Sequence, residues 1–290
     1  MGVPHRLASS MATVRRVDDL RAATAAWRRA GLSIGLVPTM GALHGGHLAL
    51  IRAARAACAR VVATIFVNPA QFDNPDDLER YPRDRARDEA MLSGAGVDLL
   101  FAPAVDEMYP DGFATSVAVS GLSACLCGVS RPGHLAGVTT VVAKLLVQAQ
   151  PDIAYFGEKD YQQLLVVRRM ARDLDLPVRI DAVATERAAD GLAHSSRNAC
   201  LSADERARAP ALYRILRETA ARLSAGGAAA PVLERGRGAL SDAGFAPIDY
   251  LELRDGETLA ELTVARPPAR LFAAAWLGTT RLIDNVRVAG

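Results

Sequence analysis

The chain has 290 residues, half of them hydrophobic and 23% charged, enough for a sizeable core in one large α/β unit or two domains. Its formal net charge is only +2, with 34 basic and 32 acidic residues interspersed and aromatics at 5%. That balance excludes a basic nucleic-acid surface, a patch for anionic membranes and an aromatic platform for single strands.

Residues 1–10 lack the apolar stretch of a signal peptide and read as a loose extension ahead of Met11. No apolar run reaches the roughly 18 residues a membrane span needs. The four cysteines, Cys58, Cys125, Cys127 and Cys200, include no CxxC pair and read as reduced thiols. The expectation is a soluble cytoplasmic protein. Helical periodicity then runs from Val17 to Ala30 and stops at Gly31. A short apolar strand, Ile34 to Pro38, leads through Thr39-Met40-Gly41 into a helix from about Gly46 to Arg60. Val61 to Val67 reads as a buried strand, Asp84 to Ser93 as a helix, Val97 to Phe101 as a strand and Val117 to Val119 as an edge strand. Helix Val138 to Gln148, strand Asp152 to Phe156, helix Asp160 to Asp173 and strand Val178 to Val183 continue the alternation. Such a rhythm predicts a mostly parallel, Rossmann-like α/β sheet.

After Asp190-Gly191 the rhythm changes. One long helix is expected from Ser202 to Leu223, with Asp204 and Glu205 favouring its N-terminal dipole. A linker at Gly226 to Pro231, a helix to Ala243, and strands Ile248 to Leu253, Arg270 to Trp276 and Thr280 to Val286 follow. This predicts a domain over residues 1–187 and a smaller C-terminal α+β domain over residues 188–290.

Three glycines, Gly41, Gly45 and Gly46, lie between the first strand and its helix, with His44 and His47 three residues apart. Free N–H groups and the dipole at a helix start favour an anion such as a triphosphate, and two imidazoles on one side of that start can donate to phosphate oxygens. Three other readings stay open: a glycine turn present for packing alone, an H-x-x-H metal pair, or simply hydrogen-bonded histidines. Asn68 and Gln71 follow the second strand, where ligands bind in open α/β sheets. Gly157, Lys159, Asp160 and Gln163 gather at a later helix start, where Lys159 suits phosphate and Asp160 suits ribose or a helix cap. Ser195, Ser196 and Arg197 stand at the junction where the architecture changes, with Arg197 suited to bidentate contact with phosphate oxygens.

The segments PTMGALHGGH (38–47), FVNPAQF (66–72), RPGHLAGVTTVVAKL (131–145), FGEKDYQQ (156–163) and SSRN (195–198) occur in order. Together they resemble the pantoate–β-alanine ligase (pantothenate synthetase) family from about Val17 to Val286. The resemblance implies condensation of pantoate with β-alanine using ATP, with AMP and pyrophosphate released. It implies ATP contacts at Met40, Gly41, His44, Gly46, His47, Gly157, Glu158, Lys159, Asp160, Glu186, His194, Ser195, Ser196 and Arg197. Catalytic roles fall to His47, His44, Lys159 and Arg197. Pantoate is expected at Pro38, Thr39, Met40, Gln71 and Gln163, and β-alanine at Gln71 and Asn68. Asp88 matches a position linked with Mg2+ in some members, and a homodimer is implied. Three differences stand out: Gly45 where many members have Glu, His194 in place of Met or Leu, and Leu135-Ala136 in place of Phe-Arg. A nucleotidyltransferase on the same fold, a nucleotide-binding regulatory module and a zinc hydrolase remain as rivals.

Overall fold

The structure is a computed structural model and describes residues 11–289; the expected loose extension over residues 1–10 lies outside the described residues. Six strands form one sheet: β1 (Ala12–Val14), β2 (Ile34–Val37), β3 (Arg60–Thr64), β4 (Leu99–Phe101), β5 (Ile153–Gly157) and β6 (Arg179–Val183). Their order is β1-β4-β3-β2-β5-β6. Pairings β1–β4, β4–β3, β3–β2 and β2–β5 are all parallel. β2 is buried throughout, as a strand covered on both faces should be, and its sequence is accordingly an uninterrupted apolar run. Leu43, Leu50, Ile51, Ala54, Val61, Ala63, Leu92 and Leu100 pack with β2 and β5 in one continuous core. From β2 the chain runs outward through β3 to β4 in one direction, whereas β5 and β6 lie on the other side. The β2–β5 boundary is therefore where the strand order reverses, the place where open α/β sheets expose a crevice.

Described residues up to Val119, with Gly133–Phe156 and Val167–Val183, form one compact unit. Ser120–Pro132, Gly157–Val166 and the chain from Ala184 form a second. The division is not a single cut because Gln162 ties the two short segments together. Its Oε1 accepts from the Cys127 N–H at 3.0 Å, and its Nε2 donates to the Leu122 and Cys125 carbonyls at 2.8 Å each. The second unit holds an antiparallel sheet, β7 (Ile248–Asp255), β8 (Ala269–Leu277) and β9 (Thr280–Val288), in that order. Helices Ala211–Ser224 and Ala229–Asp242 pack on this sheet around Leu212, Leu216, Leu240, Phe245, Leu251 and Leu271.

Two expected elements differ. Residues 117–119 form no strand: the Val117 N–H donates to Thr140 Oγ1 at 2.9 Å and its carbonyl accepts from Thr139 Oγ1. Helix side chains thus satisfy the backbone that a neighbouring strand would otherwise pair. The expected long helix over 202–223 is two, Ala203–Arg208 and Ala211–Ser224, broken at Pro210, which has no N–H to donate and crowds the preceding turn. Ser202 and Glu205 close a reciprocal cap at the first of them. The short strand β1 and the helical turns Pro75–Arg80, Val105–Met108 and Cys127–Ser130 carry too few residues for periodicity to reveal. Among the described residues no helix is long and apolar enough to cross a membrane.

Candidate active site

The turn leaving β2 is fixed by its neighbours. Thr39 donates its N–H to Thr64 Oγ1 at 3.2 Å and its hydroxyl to the Thr64 carbonyl, and its Oγ1 accepts from Gly41 N–H at 3.1 Å. Gly41 takes φ +82°, and a Cβ there would lie 2.9 Å from Asp88 Oδ2, so both backbone conformation and space require glycine. Asp88 is 2% exposed, and its two oxygens accept from the Ala42 and Leu43 N–H groups at 2.8 Å each. Pro38 and Met40, flanking the buried Thr39, are half-buried.

Helix Gly45–Ala57 begins with an imidazole at its cap. His44 Nδ1 accepts from Gly46 N–H at 3.1 Å, and His47 Nδ1 accepts from His44 N–H at 3.3 Å. The rings lie 4.0 Å apart, tilted by 35°. Because each Nδ1 is an acceptor, the neutral form of each ring carries its proton on Nε2. Two Nε2–H donors therefore stand side by side at a helix N-terminus, the electrostatic setting that stabilises an anion or a departing phosphate.

Asn68 and Gln71 follow β3 around the turn Pro69–Gln71. Asn68, at 1% exposure, is internally engaged. Its Nδ2 donates to Gln71 Oε1 at 3.0 Å and to the Gly137 carbonyl at 3.1 Å, and its Oδ1 accepts from Tyr109 Oη at 2.7 Å. This orients the Gln71 amide, whose Nε2 donates toward Met40 Sδ at 2.9 Å. His134 Nδ1 meets the Gln71 carbonyl at 2.7 Å, and a Cβ at Gly137 would come within 2.1 Å of the Ala70 carbonyl oxygen. The RPGH segment therefore acts as the support on which the Gln71 turn rests. Tyr109 was missed by the sequence reading; its only signal is a polar aromatic in Met108-Tyr109-Pro110, indistinguishable from core packing. Burial pushes its phenol up to about 12, with the bond to Asn68 opposing.

In the second unit, Gly157, Glu158, Lys159 and Asp160 make the turn before helix Tyr161–Asp173, with Gln163 half-buried on its first turn. Lys159 Nζ lies 3.5 Å from Asp160 Oδ1, a loose pair that leaves the ammonium able to serve a stronger anion. The Glu158 carboxylate is committed to Arg287 at 3.0 Å and Arg270 at 3.4 Å. Any contact of Glu158 with an anion is therefore through its backbone. Glu186 accepts the His194 N–H at 3.0 Å across a short hairpin bridged at Arg187 and Ala193. The hairpin leads to Ser195, whose Oγ accepts the Arg197 N–H at 3.3 Å and caps the helical turn Ser196–Cys200. Ser196 and Arg197 are half-buried. In the first unit Gln71 and Met40 meet directly, and in the second the turn Glu158–Asp160 and the helical turn Ser196–Cys200 each pack on β9.

Among the described residues no group of three or more His, Cys, Asp and Glu converges on a possible ion, and both Asp88 oxygens already hold backbone N–H groups. The same finding leaves the His44–His47 pair without a third metal ligand among the described residues.

A parallel α/β sheet with an imidazole-capped helix at its carboxyl edge places the chain in the class of open α/β proteins, with a helix start suited to an anion at the strand ends. The family model for pantoate-beta-alanine ligase matches residues 12–287. The pantothenate synthetase of Ruegeria pomeroyi is 54% identical over 275 residues, 95% of this chain and 96% of that one. That of Paramagnetospirillum magneticum is 55% identical over 282 residues, 97% and 99% of the two chains. The crystal structure of pantothenate synthetase from Thermus thermophilus superposes with a TM-score of 0.90 at 51% identity, covering 97% of this chain and all of that one. The pantoate-beta-alanine ligase of Francisella tularensis, solved with β-γ ATP and β-alanine, gives 0.83 at 33% identity, covering 96% and 98%. The chain belongs to the pantoate–β-alanine ligase family.

Proposed function

We propose that the chain condenses (R)-pantoate with β-alanine in two steps at the expense of ATP. Pantoate carboxylate attacks the α-phosphorus and pyrophosphate leaves, giving pantoyl adenylate. The neutral amine of β-alanine then attacks the acyl carbon, and AMP departs with the carboxyl oxygen. The supporting observation is a full-length family match in which His44 and His47 both present Nε2–H at a helix start.

In this reading His44, His47, Lys159 and Arg197 stabilise the leaving pyrophosphate, and no protein nucleophile takes part. Met40, Gly41 and Gly46, with Gly157, Asp160, Glu186, His194, Ser195 and Ser196, contact the nucleotide, and Glu158 does so through its main chain. Pro38, Thr39, Met40, Gln71 and Gln163 hold pantoate. Gln71 also faces β-alanine, with Asn68 setting its amide from behind. Mg2+ arrives with ATP, held by phosphate oxygens, as part of the substrate. The regions 1–187 and 188–290 act as nucleotide- and pantoate-binding domain and lid, in a cytoplasmic homodimer.

Turnover with ATP, pantoate and β-alanine tests this: AMP and pantothenate should accumulate one for one, and omission of either acid should stop both. A nucleotide left attached to the product would instead make the chain a nucleotidyltransferase.

A further inference from the structure

We propose that Asn285, aligned by Arg270, is a positioning residue that fixes the Glu158–Asp160 turn and so sets the direction of the Lys159 main-chain N–H group. This deepens the reading above, since it rests on Gly157–Asp160 being a nucleotide-binding turn. Asn285 lies on β9 opposite Phe272 of β8 and is 4% exposed. Its Nδ2 donates to two successive carbonyls, Glu158 and Lys159, at 2.9 Å each. In a trans peptide the carbonyl of one residue and the N–H of the next point in opposite directions. Holding the Glu158 carbonyl therefore aims the Lys159 N–H, and holding the Lys159 carbonyl fixes the next peptide, whose Asp160 N–H closes the 3-10 turn Glu158–Asp160 on Gly157. The Lys159 N–H is thus the donor this clamp directs, at the turn that leads into helix Tyr161–Asp173.

The amide of Asn285 has one possible orientation. Its Oδ1 accepts from Arg270 Nη1, and a guanidinium can only donate, so Nδ2 must face the carbonyls. Arg270 is itself held on three sides: it is 4% exposed, its guanidinium lies 3.6 Å over the Tyr161 ring, and Nη2 reaches Glu158 Oε2 at 3.4 Å. A buried guanidinium whose contacts all lead back to residues 158, 161 and 285 is a device for orienting that turn, not a surface charge.

Asn285→Asp keeps the shape and the oxygen facing Arg270 but replaces the double donor with an oxygen opposite two carbonyls. In the full-length enzyme it should lower the melting temperature and raise KM for ATP about tenfold, with KM for pantoate and β-alanine within about twofold. Asn285→Ser, which retains one donor, should raise KM for ATP less, and it decides by the same split if the Asp variant does not fold. Unchanged KM for ATP, or a loss shared equally by all substrates, overturns the proposal. Lys159→Ala serves as the control on the underlying reading. If that variant is impaired while both Asn285 variants are normal, only the clamp fails. If Lys159→Ala is itself normal, the nucleotide turn fails and the clamp with it.

Discussion

At the scale of single residues, Asp88 shows how one buried carboxylate can hold a turn in place. Its oxygens accept from the Ala42 and Leu43 N–H groups in a turn with positive φ at Gly41 and Ala42. Asp88→Asn opposes an NH2 to one of those N–H groups and should destabilise the fold by about 1–3 kcal/mol in denaturant unfolding. Activity lost with the turn should not return at raised Mg2+; recovery would make Asp88 a metal ligand instead. Tyr109 offers a pH test. Its phenol has an ordinary value of 10.0 and is raised by burial to about 12, so its contribution to stability is complete below pH 10 and disappears as pH rises to 12. Tyr109→Phe should therefore flatten the alkaline stability curve across that window and raise KM for pantoate through the loosened Asn68–Gln71 pair. An unchanged slope would show that Tyr109 titrates equally in both states. The motif residues were legible because short glycine-bearing segments carry chemistry in their spelling. Asn68 reads from the sequence as a β-alanine contact, while its burial and internal bonding were not legible, since its partners Tyr109 and Gly137 are remote in sequence.

At the scale of elements, β9 anchors both segments of its unit that carry expected site residues. While Asn285 holds the turn at Glu158, its neighbour Asp284 pairs with Arg187 through two bonds of 2.6 and 2.9 Å, and Arg187 stacks 3.6 Å over Tyr213. Arg187 opens the hairpin that delivers Ser195–Arg197. Asp284 is 3% and Arg187 16% exposed at the side chain, so removing the carboxylate strands a poorly solvated cation. Asp284→Ala should cost about 3 kcal/mol of stability in urea unfolding and raise KM for ATP; a loss under about 0.5 kcal/mol would mark the pair as solvent-screened. Strand and helix periodicity located nearly every long element. It failed where other forces decide: Pro210 divides an otherwise continuous helical pattern, and Thr139 and Thr140 take the backbone bonds that 117–119 were expected to give a strand.

At the scale of the whole molecule, the alternation of strands and helices announced a parallel sheet and the later run of helices then strands a second architecture. The order β1-β4-β3-β2-β5-β6 and the membership of residues 120–132 and 157–166 in the second unit were not legible. The first depends on which strands pair and the second on contacts such as that of Gln162 with Cys127, neither of which leaves a local pattern. In the proposed function the imidazole-capped helix start promotes adenylation of pantoate before β-alanine takes part. Exchange of labelled pyrophosphate into ATP measures that step alone. Exchange should require pantoate, proceed without β-alanine and fall more than about tenfold in His47→Ala. Exchange that is indifferent to pantoate, or undiminished in that variant, would contradict it.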